Sequence, residues 1–306
     1  MLSDDEVQSI ISRVRGRVAA ASGPGRQGPA LRATDDLGAA EALLGDGIHP
    51  TIDSAVGAAQ TAFAAYRSMG LESRRTIVEA MRAAMLREGE RLAYMAHAET
   101  GIGRAEDKVK KNHLVTTKTP GPEDLEPQAV TGDQGMMVTE YAPYGVIGSI
   151  TPTTNPTSTI INNSIAMVAA GNAVTFNVHP GAAKVSVENI KLLNRAIVAA
   201  GGPADLITAT PEPTLESAKE LMAHPDVRVL LVTGGPAVVG EALRTPKKAI
   251  TAGPGNPPAV VDQTADIEQA ARAIVAGASF DNNIVCVDEK TTIVVDSVAD
   301  ASSGPW

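Results

Sequence analysis

Between residues 145 and 252 short apolar runs alternate with longer amphipathic stretches, and this alternation restricts the fold more than any other feature of the chain. The runs 145–150, 173–178, 205–208, 227–233 and 248–252 have the length and β-branched content of buried strands, and 157–170, 182–200, 214–223 and 236–243 carry helical spacing. A strand that returns through a helix to another strand needs a crossover. The sheet is therefore predicted to be largely parallel and covered by helices on both faces, an α/β arrangement. Ligands of such sheets bind beyond the carboxyl ends of the strands, which draws attention to 151–156, His179-Pro180-Gly181, Thr233-Gly234-Gly235 and 252–256. Each loop is polar or glycine-bearing. Three run straight into a helix, so free N–H groups and a helix dipole are on offer to an anion. None is the Gly-x-Gly-x-x-Gly fingerprint, and singly each is only a turn.

Upstream, helical spacing returns over 52–68 and 72–100, the latter with Ile77, Val78, Met81, Met85, Leu86, Leu92 and Met95 as a core stripe. Lys108, Lys110, Lys111 and Lys118 cluster around His113 and read as a solvated helix face rather than a phosphate site. Residues 121–131, with three prolines nearby, read as a crossover loop. At the amino end, Val7, Ile10, Ile11, Val14 and Val18 form one apolar stripe on a short helix over residues 3–20, followed by a Gly/Pro-rich linker. Such a tethered helix folds back on the body, docks into a partner's groove, or lies on a membrane surface.

A formal charge of −9 argues against nucleic-acid and anionic-membrane partners. No apolar run is long enough to span a bilayer, and residues 1–6 do not resemble a secretory signal, so a reducing cytoplasmic setting is the expectation. Cys286, the one cysteine among 306 residues, cannot form an internal disulfide. It follows Asp281-Asn282-Asn283-Ile284-Val285, beside amides and turn formers, which makes it a candidate nucleophile. Inert packing is the competing reading of a lone cysteine.

Taken together the motifs are specific. Residues 140–156, with Asn162-Asn163-Ser164, Gly171-Asn172-Ala173, 176–180, 232–236, 252–258 and 281–286, closely resemble the aldehyde dehydrogenase superfamily, over about residues 47–296. Within it the fit is best to the CoA-acylating branch, which includes the propionaldehyde and acetaldehyde dehydrogenases of bacterial microcompartments. The resemblance implies a Rossmann-like nucleotide-binding domain of the aldehyde dehydrogenase fold, with only the start of a catalytic domain. It implies an amphipathic targeting helix at 1–21, a flexible linker at 22–46, the nucleotide-binding domain with its scaffold helices at 47–252 and the beginning of the catalytic domain, carrying the Cys loop, at 253–306. The site residues follow from it. Cys286 attacks an aldehyde and forms a thioester, Asn155 matches the family's oxyanion donor, and the dinucleotide, NAD or NADP, lies over Ile150, Thr151, Pro152, Thr153, His179, Pro180, Gly181, Thr233, Gly234, Gly235, Ala252 and Gly253. No metal is implied.

Two departures sharpen the expectation. Hydrolytic members carry a glutamate base at the turn matching 251–253, where this chain has Thr-Ala-Gly, so the acyl group is expected to pass to coenzyme A rather than to water. Glu289 reads as a surface acid rather than a substitute base. The chain also stops soon after a strand at 291–296, with a tail unlike the family, so it reads as truncated, with weak dinucleotide binding and little turnover expected of the 306 residues alone. The implied partners are a short-chain aldehyde, a microcompartment shell protein docking on residues 1–20 and, for the full-length protein, further copies of itself. A silent cargo or nucleotide-binding remnant, or a hydrolytic aldehyde dehydrogenase, are the alternatives.

Overall fold

A computed structural model describes residues 44–302, so the helix expected over residues 3–20 and most of the expected linker lie outside the described residues. Three helices open the described chain: α1 (Ile52–Tyr66), α2 (Leu71–Thr100) and α3 (Ala105–Lys118). α1 starts at Thr51, whose hydroxyl accepts from Ser54 N while the Ser54 hydroxyl accepts from Thr51 N, a reciprocal cap. The α2 stripe is buried at Ile77, Val78, Met81, Met85 and Leu92, whereas Leu86, expected in it, is 50% exposed. α3 departs more from expectation: its buried positions include Asp107, Lys108, Lys111 and Asn112.

Residues 128–139, partly assigned above to a loop, form an antiparallel hairpin of β1 (Gln128–Gly132) and β2 (Gly135–Thr139) after a short 3-10 turn. Both strands are exposed along their whole length. With neither face buried, no inside–outside alternation marks the pair in the sequence.

The centre is a five-stranded parallel sheet of β3 (Val146–Ile150), β4 (Ala173–Asn177), β5 (Ile207–Ala209), β6 (Val227–Thr233) and β7 (Lys248–Ala252), in the order β5-β4-β3-β6-β7. Between them run α4 (Pro156–Ala169), α5 (Ala183–Ala199), α6 (Leu215–Ala223) and α7 (Pro236–Arg244). β5 starts later than expected because Asp205 is left-handed, at φ 63°. β3 and β4 are buried at every position, Phe176 included, and Ile160, Ile161 and Ile165 of α4, Ile190 of α5 and Leu230 of β6 are buried in the same apolar core. Fully burying one such side chain contributes roughly 1.5–3 kcal/mol, so this layer dominates the stability. Tyr66 is buried here with its hydroxyl donating to Val168 O at 3.0 Å, and burial raises its pKa above the ordinary phenol range.

The chain leaves β3 for β4 and β5 on one side and returns to β6 on the other, so the order reverses between β3 and β6. That reversal opens a crevice at the carboxyl edge. Registry brings the strand ends level: Ile150 pairs with Asn177 and Val232, and Thr233 with Ala252. Four loops distant in sequence therefore leave one edge together.

Beyond the sheet, β8 (Pro258–Val261) pairs in parallel with β9 (Thr291–Val294), with α8 (Ile267–Ser279) between them. A 3-10 turn over Phe280–Asn283 joins α8 to the Cys286 loop, and α9 (Asp296–Ser302) follows β9, which ends before the predicted 296.

Candidate active site

The carboxyl edge borders a cleft of about 500 Å³. Ile150, Thr151, Pro152, Thr153, Asn155, His179, Pro180, Thr233, Gly234, Gly235, Gly253 and Cys286 all wall it. Two expected residues do not. Gly181 turns its N–H onto His179 Nδ1 at 3.0 Å, and Ala252 uses its carbonyl to accept from Gly234 N at 3.1 Å. The structure adds Thr154, Asn177, Val178, Thr214, Leu215, Ala218, Ala237, Val238, Pro254, Gly255, Ile284 and Lys290 to the walls. Asn177 ends β4 and Val178 follows it, a position that marks them from the strand pattern alone; Thr214 and Leu215 enter because α6 begins with them.

The cleft walls are mostly apolar, with a few polar groups placed to meet an anionic one. Thr151 is 2% exposed and its Oγ1 has no hydrogen-bond partner among the described residues, so a buried hydroxyl is left for a bound group. α7 begins at Gly235-Pro236 without a side-chain cap, leaving first-turn N–H groups at the cleft wall. No aspartate or glutamate is among the described residues lining the cleft.

Asn155 stands where α4 begins and does not use its side chain as a cap. Its Oδ1 accepts from Lys111 Nζ at 2.6 Å, and its Nδ2 donates to Thr154 Oγ1 at 3.0 Å. Lys111 is therefore not solvated, and neither is Lys108, which donates to Thr154 O at 3.1 Å. This corrects the expectation of a solvated lysine face, which holds only for Lys110, Lys118 and His113. Both buried ammonium groups also reach Asp281 Oδ2, Lys108 at 3.4 Å and Lys111 in closer contact. Burial first, and then the Lys111 charge, hold the Lys108 pKa below the usual lysine range.

Asp281 is fully buried and opens the Cys286 segment. It accepts from Arg104 N at 2.6 Å, and its own N–H donates to Asp107 Oδ2 at 3.0 Å. Burial works against ionisation of Asp107, but hydrogen bonds from Lys110 and the Asp281 N–H, with the Arg104 charge, hold its pKa below the usual carboxylate range. Asp281, Asn282 and Asn283 all adopt left-handed backbone, at φ 46°, 56° and 59°. Asp and Asn are the non-glycine residues that tolerate it best, which explains why this motif makes the turn.

Asn283 Nδ2 then donates to Ala278 O and Glu289 O, and Lys290 Nζ to Asn283 Oδ1 at 2.7 Å and Val285 O at 3.0 Å. Between these braces Cys286 is a free, half-buried thiol, and its backbone N–H donates to no acceptor among the described residues. Gly255 lies directly against it: a Cβ there would overlap the Cys286 carbonyl. Glu289 is not a cleft wall; its carboxylate sits over Gly277. Asp288 is buried with Oδ2 unpartnered among the described residues, and burial, outweighing Lys290, pushes its pKa up.

The sequence matches the aldehyde dehydrogenase family over residues 45–303. An acetylating acetaldehyde dehydrogenase of Bilophila wadsworthia is 48% identical over 274 residues, covering 89% of this chain and 56% of its own. A solved propionaldehyde dehydrogenase of Rhodopseudomonas palustris, with bound CoA and an acylated cysteine, superposes with a TM-score of 0.81 at 48% identity over 85% of this chain and 60% of that one. A propionaldehyde dehydrogenase from a fucose-utilisation microcompartment of Clostridium phytofermentans gives 0.81 at 43% identity over 84% and 59%. The chain spans about half the length of the curated relatives it matches, 54–56%.

Proposed function

The chain belongs to the aldehyde dehydrogenase family, and from that premise we propose that its cleft oxidises a short-chain aldehyde and delivers the acyl group to coenzyme A. The observation that carries the reading is the meeting, in one cleft, of the thiol of Cys286, the amide of Asn155 and strand-end loops with spare hydrogen-bonding groups. Cys286 gives its thiol proton to solvent, Sγ forms a bond to the carbonyl carbon, and the carbonyl π electrons move to oxygen. The Cys286 N–H and the Asn155 Nδ2 are the donors for that oxyanion, fixed before the charge develops. A nicotinamide dinucleotide, NAD or NADP, held by Thr151, the 233–235 loop and the α7 amino end, supplies the hydride acceptor. When the oxyanion collapses to C=O, the former aldehyde C–H bond breaks, its hydrogen departs with the electron pair as hydride, and the carbon bound to Cys286 is left as a thioester.

Among the described residues the walls supply no carboxylate to activate water, and a second thiol needs none: the thiolate of coenzyme A displaces Cys286 Sγ, which leaves with the bonding pair. Intact-mass measurement tests this. With a short-chain aldehyde and dinucleotide the chain should gain one acyl mass on Cys286, coenzyme A should remove it as acyl-CoA, and Cys286→Ser should show neither while still binding dinucleotide. Free acid formed without coenzyme A overturns the acceptor. No acylation under any condition favours a silent cargo or nucleotide-binding chain.

The stripe of Val7, Ile10, Ile11, Val14 and Val18 is part of the proposal as a docking element for a shell protein, supported by the relative from a microcompartment. A reporter fused to residues 1–20 should concentrate in compartments; one that stays diffuse there excludes this role. Among the described residues no helix is long and apolar enough to cross a membrane.

A further inference from the structure

Buried lysines are rare, because desolvating an ammonium is costly unless its charge and all its donors are used. α3 carries two, 8% and 2% exposed at Lys111 and Lys108, and the reaction proposed above uses neither. Lys111 stands out because its two acceptors belong to different parts of the site. One is Asn155 Oδ1, at 2.6 Å, on the loop leaving β3; the other is the Asp281 carboxylate, five residues before the thiol. Lys108 has a similar pair in Thr154 O and Asp281, but touches the backbone rather than the functional amide.

Two consequences follow from donor and acceptor chemistry. An ammonium can only donate, so the end of the Asn155 amide that faces it must be the oxygen. The NH₂ is thereby turned away from α3, with one N–H on Thr154 Oγ1 and the other free for the cleft that Asn155 lines. With the amide reversed, N–H groups would point at an ammonium with no acceptor between them. A charge-assisted bond to Oδ1 also polarises the amide and strengthens its N–H as a donor.

We propose that Lys111 is a positioning residue that selects the orientation of the Asn155 amide and thereby makes it an oxyanion donor, while its second bond ties that donor to the segment carrying Cys286. The proposal rests on the reading of Cys286 as nucleophile and Asn155 as donor. An ester probe isolates the step. With p-nitrophenyl acetate, Cys286 gives its thiol proton to solvent, the Sγ thiolate bonds to the acyl carbon, the tetrahedral oxyanion forms, and p-nitrophenolate leaves with the electron pair of the broken C–O bond. The burst of p-nitrophenolate reports acylation with neither dinucleotide nor coenzyme A present.

The experiment is a double-mutant cycle on the full chain with Lys111→Met, Asn155→Ala and both together, each checked for folding by circular dichroism and for dinucleotide binding by fluorescence titration. Loss of an oxyanion donor costs about 10²–10³-fold, so Lys111→Met and Asn155→Ala should each slow the burst by that order with dinucleotide affinity unchanged. Added to Asn155→Ala, the lysine change should cost almost nothing further, because its effect passes through the amide. Equal slowing by Lys111→Met in both backgrounds overturns the proposal and leaves Lys111 a structural residue. If Lys111→Met does not fold, Lys111→Arg carries the test: it keeps charge and donors and should retain the burst to within about tenfold, and a folded Arg variant as slow as Asn155→Ala overturns the proposal. A normal burst without acyl-CoA formation from aldehyde would instead fault the acyl-acceptor reading alone. No burst from the unaltered chain removes the nucleophile on which the proposal depends, and the proposal with it.

Discussion

β3 and β4 are buried at all five of their positions, whereas α8, at the other side of the cleft, buries none of its thirteen, and β9 leaves Ile293 52% exposed. The two sides of one site are thus held by different physics. The sheet side stands on an apolar core, in which stabilisation is spread over many contacts and depends on area. The thiol side depends on a few directional ties: Asp281 to Arg104, Lys108 and Lys111, Asn283 to Lys290, and the Gly255 backbone against Cys286. Damage to the first should unfold the chain. Damage to the second should move the thiol while the sheet survives.

The largest effect that can break this contrast is a cavity. Phe176→Ala, fully buried in β4, should cost about 3–5 kcal/mol in urea unfolding, while Ile293→Ala on the largely exposed β9 should cost under about 1 kcal/mol. Comparable losses at the two sites would show that both halves share one core. A smaller change sharpens it. Gly255→Ala forces the Cys286 carbonyl aside and should cost about 1–3 kcal/mol, with dinucleotide affinity nearly kept. Acylation of Cys286 should fall out of proportion to that loss of stability. A Gly255→Ala chain that acylates at the normal rate would mean that the thiol loop is not held by this contact.

Much of the fold was legible because the cues are local. β6 and β7 begin and end at the residues expected from their apolar runs, and the helices between the strands agree to within a residue or two. The walls of the cleft were legible in part: the strand-end loops by their position in the alternation, Cys286 by the amides and turn formers beside it, and Asn155 through the family resemblance. The hairpin of β1 and β2 was missed because both its faces are exposed, so apolar alternation carries no record of it.

By itself, then, the sequence determined the parallel sheet, the edge at which the strand-end loops gather and the turn that precedes the thiol. Period, glycine placement and the left-handed tolerance of Asp281-Asn282-Asn283 are properties of a residue and its near neighbours. Only the tertiary structure decided that Lys108 and Lys111 are buried, that Asp281 gathers them and that Gly255 meets Cys286. A lysine at a helical position is the same residue whether solvated or buried. What decides is a carboxylate brought to it across 170 residues of chain, and no local pattern records that meeting.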